Sequence, residues 1–264
     1  MTSLSPVGIV ASSVATSSAL YAFTSFTFSN GPATGRLGPT LAQMQTHYNA
    51  YAWTQDTNYF NITTRGIQEW TVPATGDYTI RAVGAAGGGD YGGYGADMTG
   101  TFSLTQSDVI KIVVGQIGLT ESPAHVNGGG GGGSYVVKSP YNQLSHCLVV
   151  AGGGGGDDYS LRSTGMQSQK NGQTGTSGGD AYGQSAASNG GTSGNGALGI
   201  NRATGGGGFL TDGGSNTQSA SFGSGGSAFV NGSEGGELTY ASGTGVDGSF
   251  GGGGNSMRTG WRGA

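Results

Sequence analysis

The stretch Val126-Asn-Gly-Gly-Gly-Gly-Gly-Gly-Ser-Tyr-Val-Val137 sets six consecutive glycines directly before a short apolar run. A second run, Gly152–Gly156, directly follows Cys147-Leu-Val-Val-Ala151. Glycine loses more conformational freedom on folding than any other residue, so ordering such runs is costly. Flexible linkers would be rich in serine and would separate independent domains. These runs instead abut strand-like segments on one side. A second state suits them: the extended threefold helix of polyproline II, with about 3.1 Å rise per residue and no internal hydrogen bonds. Glycine, unlike proline, can donate its N–H, so neighbouring helices of this kind satisfy one another laterally, and the missing side chains allow close backbone contact. Six residues then span about 19 Å, comparable with a typical strand. Packed glycine helices are the expectation, with disorder as the competing reading. On that expectation Gly130→Val is severely disruptive.

Further candidate segments lie at 205–208 and 251–254, with diffuse ones between 172 and 199. Only six of the 59 glycines precede residue 84, so the chain divides by composition. Residues 1–25 form an uncharged, Ser/Thr/Ala-rich lead, residues 26–151 carry the strand signals, and residues 152–264 are rich in Gly, Ser, Asn and Thr. Gln68–Val72 is followed by Pro73-Ala-Thr-Gly76, a turn in which proline presets φ. Tyr78, Ile80 and Ala82 then alternate as in a half-buried strand. Thr101–Leu104, Val109–Val114, Tyr135–Val137 and Leu148–Val150 complete a set of short strands at hairpin spacing. The one helical signal is Pro39–Tyr48, with proline in the first turn and Leu41, Met44 and Tyr48 on one face. The residues therefore predict a mainly β chain: an antiparallel β-sandwich with one short helix. Trp70, Tyr78, Phe102 and Tyr135 are expected in its core, and Cys147 as a small buried apolar residue.

Charge and motifs exclude several function classes. Only 9% of the residues are charged and the net charge is −4, without the clustered basic face that nucleic acid requires. No run approaches the roughly 20 apolar residues of a membrane span, so membrane insertion is not expected. The first positive charge is Arg36, so a secretory signal is not expected. A single cysteine excludes an internal disulfide framework. Matches to G-x-G-x-x-G lack the βαβ context of a dinucleotide site, and no G-x-x-x-x-G-K-[ST] occurs. His47, His125 and His146 lack metal-ligand partners, and Asp157-Asp158 reads as a solvated turn rather than a calcium site. No catalytic residue, metal or cofactor is expected, and the chain is read as a non-enzyme.

Five segments occur in order: Asn30-Gly-Pro-Ala-Thr-Gly-Arg-Leu-Gly-Pro-Thr40, Gly66-Ile-Gln-Glu-Trp-Thr-Val-Pro-Ala-Thr-Gly-Asp-Tyr78, Arg81-Ala-Val-Gly-Ala-Ala-Gly-Gly88, Val114-Gly-Gln-Ile-Gly118 and Leu148-Val-Val-Ala-Gly-Gly-Gly-Gly-Gly156. Over roughly residues 26–156 this series resembles the extracellular glycine-rich domain of anaplastic lymphoma kinase and leukocyte tyrosine kinase. It also resembles glycine-rich proteins of tailed phages, regarded as tail-fibre or other virion proteins. The resemblance implies a tumour-necrosis-factor-like β-sandwich fused to a packed bundle of polyglycine II helices. The receptor domains carry several cysteines; the single cysteine here favours the phage relatives, which are assembled in a reducing cytoplasm. Such domains usually continue into further glycine runs, so a continuation past Ala264 is expected.

The aromatics scattered among the glycines, including Tyr91, Tyr94, Tyr159, Tyr182, Phe209 and Tyr240, either seal the edges of the glycine bundle or form a recognition surface. Tyrosine is a rigid amphipathic anchor, and Ser, Gly and Asn around it supply adaptable contacts. Tyr159, Arg162, Tyr182, Phe209 and Leu210, at loop tips between glycine segments, are the candidate receptor-binding residues. Two functions follow as expectations. One is a phage tail-fibre or adhesin component on the virion surface or an extracellular fibre, binding a host cell-surface protein or glycan. The other is a structural fibre or coat protein without receptor binding. Residues 1–25 are expected to lie outside the sandwich and to attach to other virion or fibre proteins by strand addition, with a frayed terminus as the competing reading. A homo-oligomer is expected, a trimer suiting both fibre and sandwich type.

Overall fold

The computed structural model describes residues 8–13, 18–121, 127–157, 170–182, 187–199, 203–216, 223–239 and 244–258. The chain is mainly β, with antiparallel sheets and one α-helix among the described residues. A four-stranded sheet has the order β2 (Ser25–Ser29), β1 (Gly8–Ser13), β5 (Gly76–Val83) and β6 (Asp97–Leu104). A five-stranded sheet has the order β3 (Phe60–Thr64), β4 (Ile67–Thr71), β7 (Val109–Val113), β8 (Ser134–Lys138) and β9 (Cys147–Ala151). Two short pairs, β10 (Ala181–Tyr182) with β11 (Ala187–Ser188) and β12 (Thr244–Val246) with β13 (Ser256–Arg258), lie in the glycine-rich part.

Alternation along each strand decides which side chains enter the core. In β5, Tyr78, Ile80 and Ala82 are buried while Asp77, Thr79 and Arg81 are exposed. They meet Trp70, Ile110, Ile112 and Val136 from the other sheet, so one apolar cluster lies between the two sheets. Phe102 is only partly buried against it. The helix α1 (Leu41–His47) starts at a capping box, where the Thr40 side chain accepts from the Gln43 N–H and Gln43 answers to the Thr40 N–H. Its buried Met44, with Leu41 and Tyr48, closes one end of this core.

The five-stranded sheet is apolar on its outer face too. Ile67, Val113, Tyr135 and Val137 pack there against Phe209, Phe229 and Phe250 from the glycine-rich part. This explains the consecutive apolar residues of β8, where Tyr135, Val136 and Val137 are all buried: a strand covered on both sides has no polar face to show. Cys147 is half-buried at the rim of this second cluster, where burial pushes its thiol up to about 11.

The glycine segments extend directly from the strands. Residues 84–96 join β5 to β6, residues 114–133 join β7 to β8, and residues 152–157 leave β9. All six amides of Gly128–Gly133 donate sideways, and their partners rotate. Gly128 and Gly131 donate to Asp157 and Gly154, Gly129 and Gly132 to Leu119 and Gln116, and Gly130 and Gly133 to Gly254 and Gly251. Each donor–acceptor distance lies between 2.8 and 3.0 Å. A fourth neighbour donates back, Ala85 to Gly132 and Gly88 to Gly129, both at 2.9 Å. Partners on both sides of residue 151 therefore take part. The same sideways bonding recurs farther on, as in Gly205 to Gly214, Gly213 to Gly226, Gly226 to Gly205 and Gly207 to Gly252.

The lead segment departs from expectation. Gly8–Ser13 is the second strand of the four-stranded sheet, paired with β2 on one side and β5 on the other. Tyr21 stacks on Trp53 with ring centroids 5.0 Å apart, and its hydroxyl accepts from the Trp70 indole N–H at 2.7 Å. Placing residues 1–25 outside the sandwich is thus corrected for these residues. A Ser/Ala-containing strand needs no large side chains when backbone ladders hold it on both edges.

Candidate recognition surface

The two ends of the glycine segments are chemically different. The end beside the five-stranded sheet gathers three short turns around residues 193–196, 208–212 and 228–232. Leu210 N–H donates to the Gly194 carbonyl, Phe229 N–H to that of Gly208 and Val230 N–H to that of Phe209. Asp212 ties the turns together by accepting from the Ala228 N–H at 2.7 Å and the Asn231 side-chain amide at 2.8 Å. Phe209 is 3% exposed and stacks on Phe229 with centroids 5.1 Å apart, and Phe229 in turn packs on Tyr135. Burial pushes the Tyr135 hydroxyl up to about 12.

Phe209 is therefore a core residue, which corrects its expected exposure. Small neighbours do not leave a ring exposed when the segment lies on the apolar outer face of a sheet. Leu210 is half-buried beside it. Tyr159 and Arg162 lie outside the described residues. Tyr182 is placed in β10 by its backbone, away from the Phe209 turn in sequence and paired with Ala187.

The opposite end is polar. It gathers the turn 88–91, residues 119–121 and 127–128, and Asp157 with Lys170. The Gly89 N–H donates to the Thr120 hydroxyl at 2.9 Å, and the Asn127 side-chain amide to the Glu121 carboxylate at 3.0 Å. Asp157 is 2% exposed; its carboxylate accepts from the Tyr91 N–H and pairs with the Lys170 ammonium, which also donates to the Tyr91 carbonyl at 3.1 Å. The expected solvated turn is thus, at Asp157, a buried ion pair. Such a pair holds geometry more than it adds stability, because desolvation offsets the attraction.

A separate ion pair joins sandwich and glycine segments. Arg36 donates to Glu234 at 2.6 Å and lies 3.7 Å from Glu237, while its carbonyl accepts from the Gly235 N–H at 2.9 Å. The Phe250 ring is seated against Gly38 and Gly66, where a side chain would collide with it. Together these contacts hold described residues of the glycine-rich part against residues 35–66.

Of three strongly exposed apolar residues, Tyr94 is among the scattered aromatics named from sequence, while Ile117 and Leu198 were not singled out. Tyr94 is 53% exposed, Ile117 51% and Leu198 61%. Each has a glycine beside it in sequence that contributes no side chain to enclose it, the signal that sequence does offer. No protein-family model matches this chain.

Proposed function

We propose that this chain is a non-enzymatic virion structural protein, a phage tail-fibre or adhesin component that binds the host cell surface. In this reading a tumour-necrosis-factor-like sandwich carries a packed bundle of polyglycine II helices, and the polar end of that bundle contacts the receptor. The observation that carries it is the rotation of partners along Gly128–Gly133, which repeats every third residue as a threefold helix requires. A lattice bonded in this way is rigid and has no side chains of its own to vary, so differences between relatives would fall on its loops. Tyr159 and Arg162 are kept as the proposed receptor contacts on the chemistry of their side chains, a rigid amphipathic ring and a guanidinium. Phe209 is withdrawn from that set. The receptor class is a protein or glycan on the cell surface, the working form a homo-oligomer such as a trimer, and the location the virion surface.

The test is competition. Purified chain should bind host cells and block adsorption of the particle, and a Tyr159→Ala/Arg162→Ala variant should block about tenfold less well while melting at the parent temperature. A chain that neither binds cells nor competes would leave the structural fibre or coat role in place of receptor binding.

A further inference from the structure

Strand β2 is an edge strand, paired with β1 on one side only. Along its open side runs a groove of about 410 Å³, bounded opposite by His47, Tyr48 and Tyr51 from the end of α1 and the residues after it. The Ser29 N–H donates to the Tyr48 hydroxyl at 2.6 Å, so it faces the groove and not β1. Antiparallel pairing alternates, which turns the backbone N–H and C=O of Thr27 and Ser25 the same way. Their hydroxyl side chains are exposed as well.

The walls have a specific chemistry. Tyr51 is 47% exposed, and Phe26 holds its ring edge-to-face at 4.9 Å and 84°. One side of a fixed aromatic ring is thus braced by the core while the ring remains open to solvent. Around it stand hydroxyls, the Asn30 amide and the exposed His47 imidazole, and the groove is lined by no Lys, Arg, Asp or Glu. Ser29 and His47, 3.0 Å apart, do not form a reactive pair, because Ser29 is enclosed and its hydroxyl also accepts from the Gly31 N–H.

We propose that this groove is a binding site for a neutral saccharide, of about disaccharide size. A sugar ring offers an apolar C–H face to Tyr51 and equatorial hydroxyls to the Ser25, Thr27, Asn30 and His47 groups. The absence of charge in the lining selects against sialylated or phosphorylated sugars. The outward edge of β2 is too short for a peptide strand, since only Ser25 and Thr27 offer it free backbone pairs. The site lies on the sandwich and does not rest on the receptor reading of the bundle's polar end.

The experiment uses the full chain, titrated by NMR and calorimetry with maltose, cellobiose, lactose and N,N′-diacetylchitobiose. At least one should bind with Kd on the order of 1 mM and shift the amides of Thr27 and Tyr51. Tyr51→Phe should bind like the parent, and Tyr51→Ala about tenfold more weakly, the equivalent of ~1.4 kcal/mol of ring contact. Thr27→Trp, an exposed position that fills the groove without entering the core, should abolish binding even if Tyr51→Ala misfolds. The proposal is overturned if none of the four sugars binds, if both groove variants bind like the parent, or if only charged sugars or extended peptides bind.

Discussion

The Gly131 N–H donates to the carbonyl oxygen of Gly154 at 2.9 Å, joining the two longest glycine runs of the chain. Backbone amides can bond at this distance to neighbours on three sides of one segment, as those of Gly128–Gly133 do, only where no side chains project between the chains. The cost of ordering glycine is met collectively, because every amide of Gly128–Gly133 has a partner and each such bond contributes about 0.5–1.5 kcal/mol net.

Substitution along this run should therefore be graded by position. A Cβ on Gly132 would overlap the Phe250 carbonyl oxygen, whereas one on Gly130 would come no closer than 3.1 Å to the Gly254 nitrogen. Gly132→Ala is expected to be severe, about 3 kcal/mol or more, and Gly130→Ala mild. Gly130, whose replacement by valine is expected from sequence to be severe, is by the space around its Cβ position one of the more tolerant in the run. Thermal melts of the two variants decide it, and equal melting temperatures would contradict the close packing.

Strands and helix were legible because their side chains carry a period. Tyr78, Ile80 and Ala82 alternate, and Leu41, Met44 and Tyr48 recur at helical spacing. The second core was not legible. Phe209 and Phe229 sit among glycines without any period, and what buries them is a sheet face formed by residues 67–137. Asp157 was misread for the same reason: its partner Lys170 lies 13 residues on in sequence and no local motif points to it. At β1 the signal was present but the inference went astray, since an uncharged, Ser-rich strip reads as a surface strand when its two partners are unknown.

Phe209→Ala should unfold rather than silence the protein. Truncating a buried, stacked ring costs about 3–5 kcal/mol, which lowers Tm by roughly 10 °C in a chain of this size. Calorimetry would check this, together with cell binding measured well below the new Tm, which should persist.

Alkaline pH should destabilise the fold over a defined window. Burial pushes the hydroxyls of Tyr48 and Tyr135 up to about 12 from an ordinary value of 10.0, and raises that of Tyr21 as well. A raised pKa means the folded chain keeps a proton that the unfolded chain releases. The stabilisation is complete below pH 10 and is lost as pH rises toward 12, on the order of 2 kcal/mol per tyrosine by pH 12. Denaturant midpoints measured from pH 8 to 12 should fall over this range, and more shallowly in Tyr135→Phe.

Cys147 should be a poor nucleophile while the chain is folded. Its thiol is pushed from 9.0 up to about 11 by burial, so at pH 8 the folded protein holds roughly 100-fold less thiolate than the unfolded one. Alkylation by iodoacetamide, followed by mass spectrometry, should be correspondingly slow in buffer and fast in denaturant. Equal rates would mean that the second core does not cover this position.

Removal of residues 1–13 tests whether the lead is part of the fold. Strand β1 pairs with β2 through Gly8–Ser12 and with β5 through Ile9–Ser13, so among the described residues it is the one strand that joins β2 to its sheet. Without it, Phe26 and Phe28 would still reach the core, but their strand would lose its ladder and the β5 edge would open. An attachment strip lying outside the sandwich would instead leave the melting temperature unchanged on deletion. The shortened chain is expected to melt at least several degrees lower and to gain hydrogen exchange in β2 and β5. Exchange is the more discriminating measurement, because only the loss of an interior strand exposes the amides of both neighbours at once.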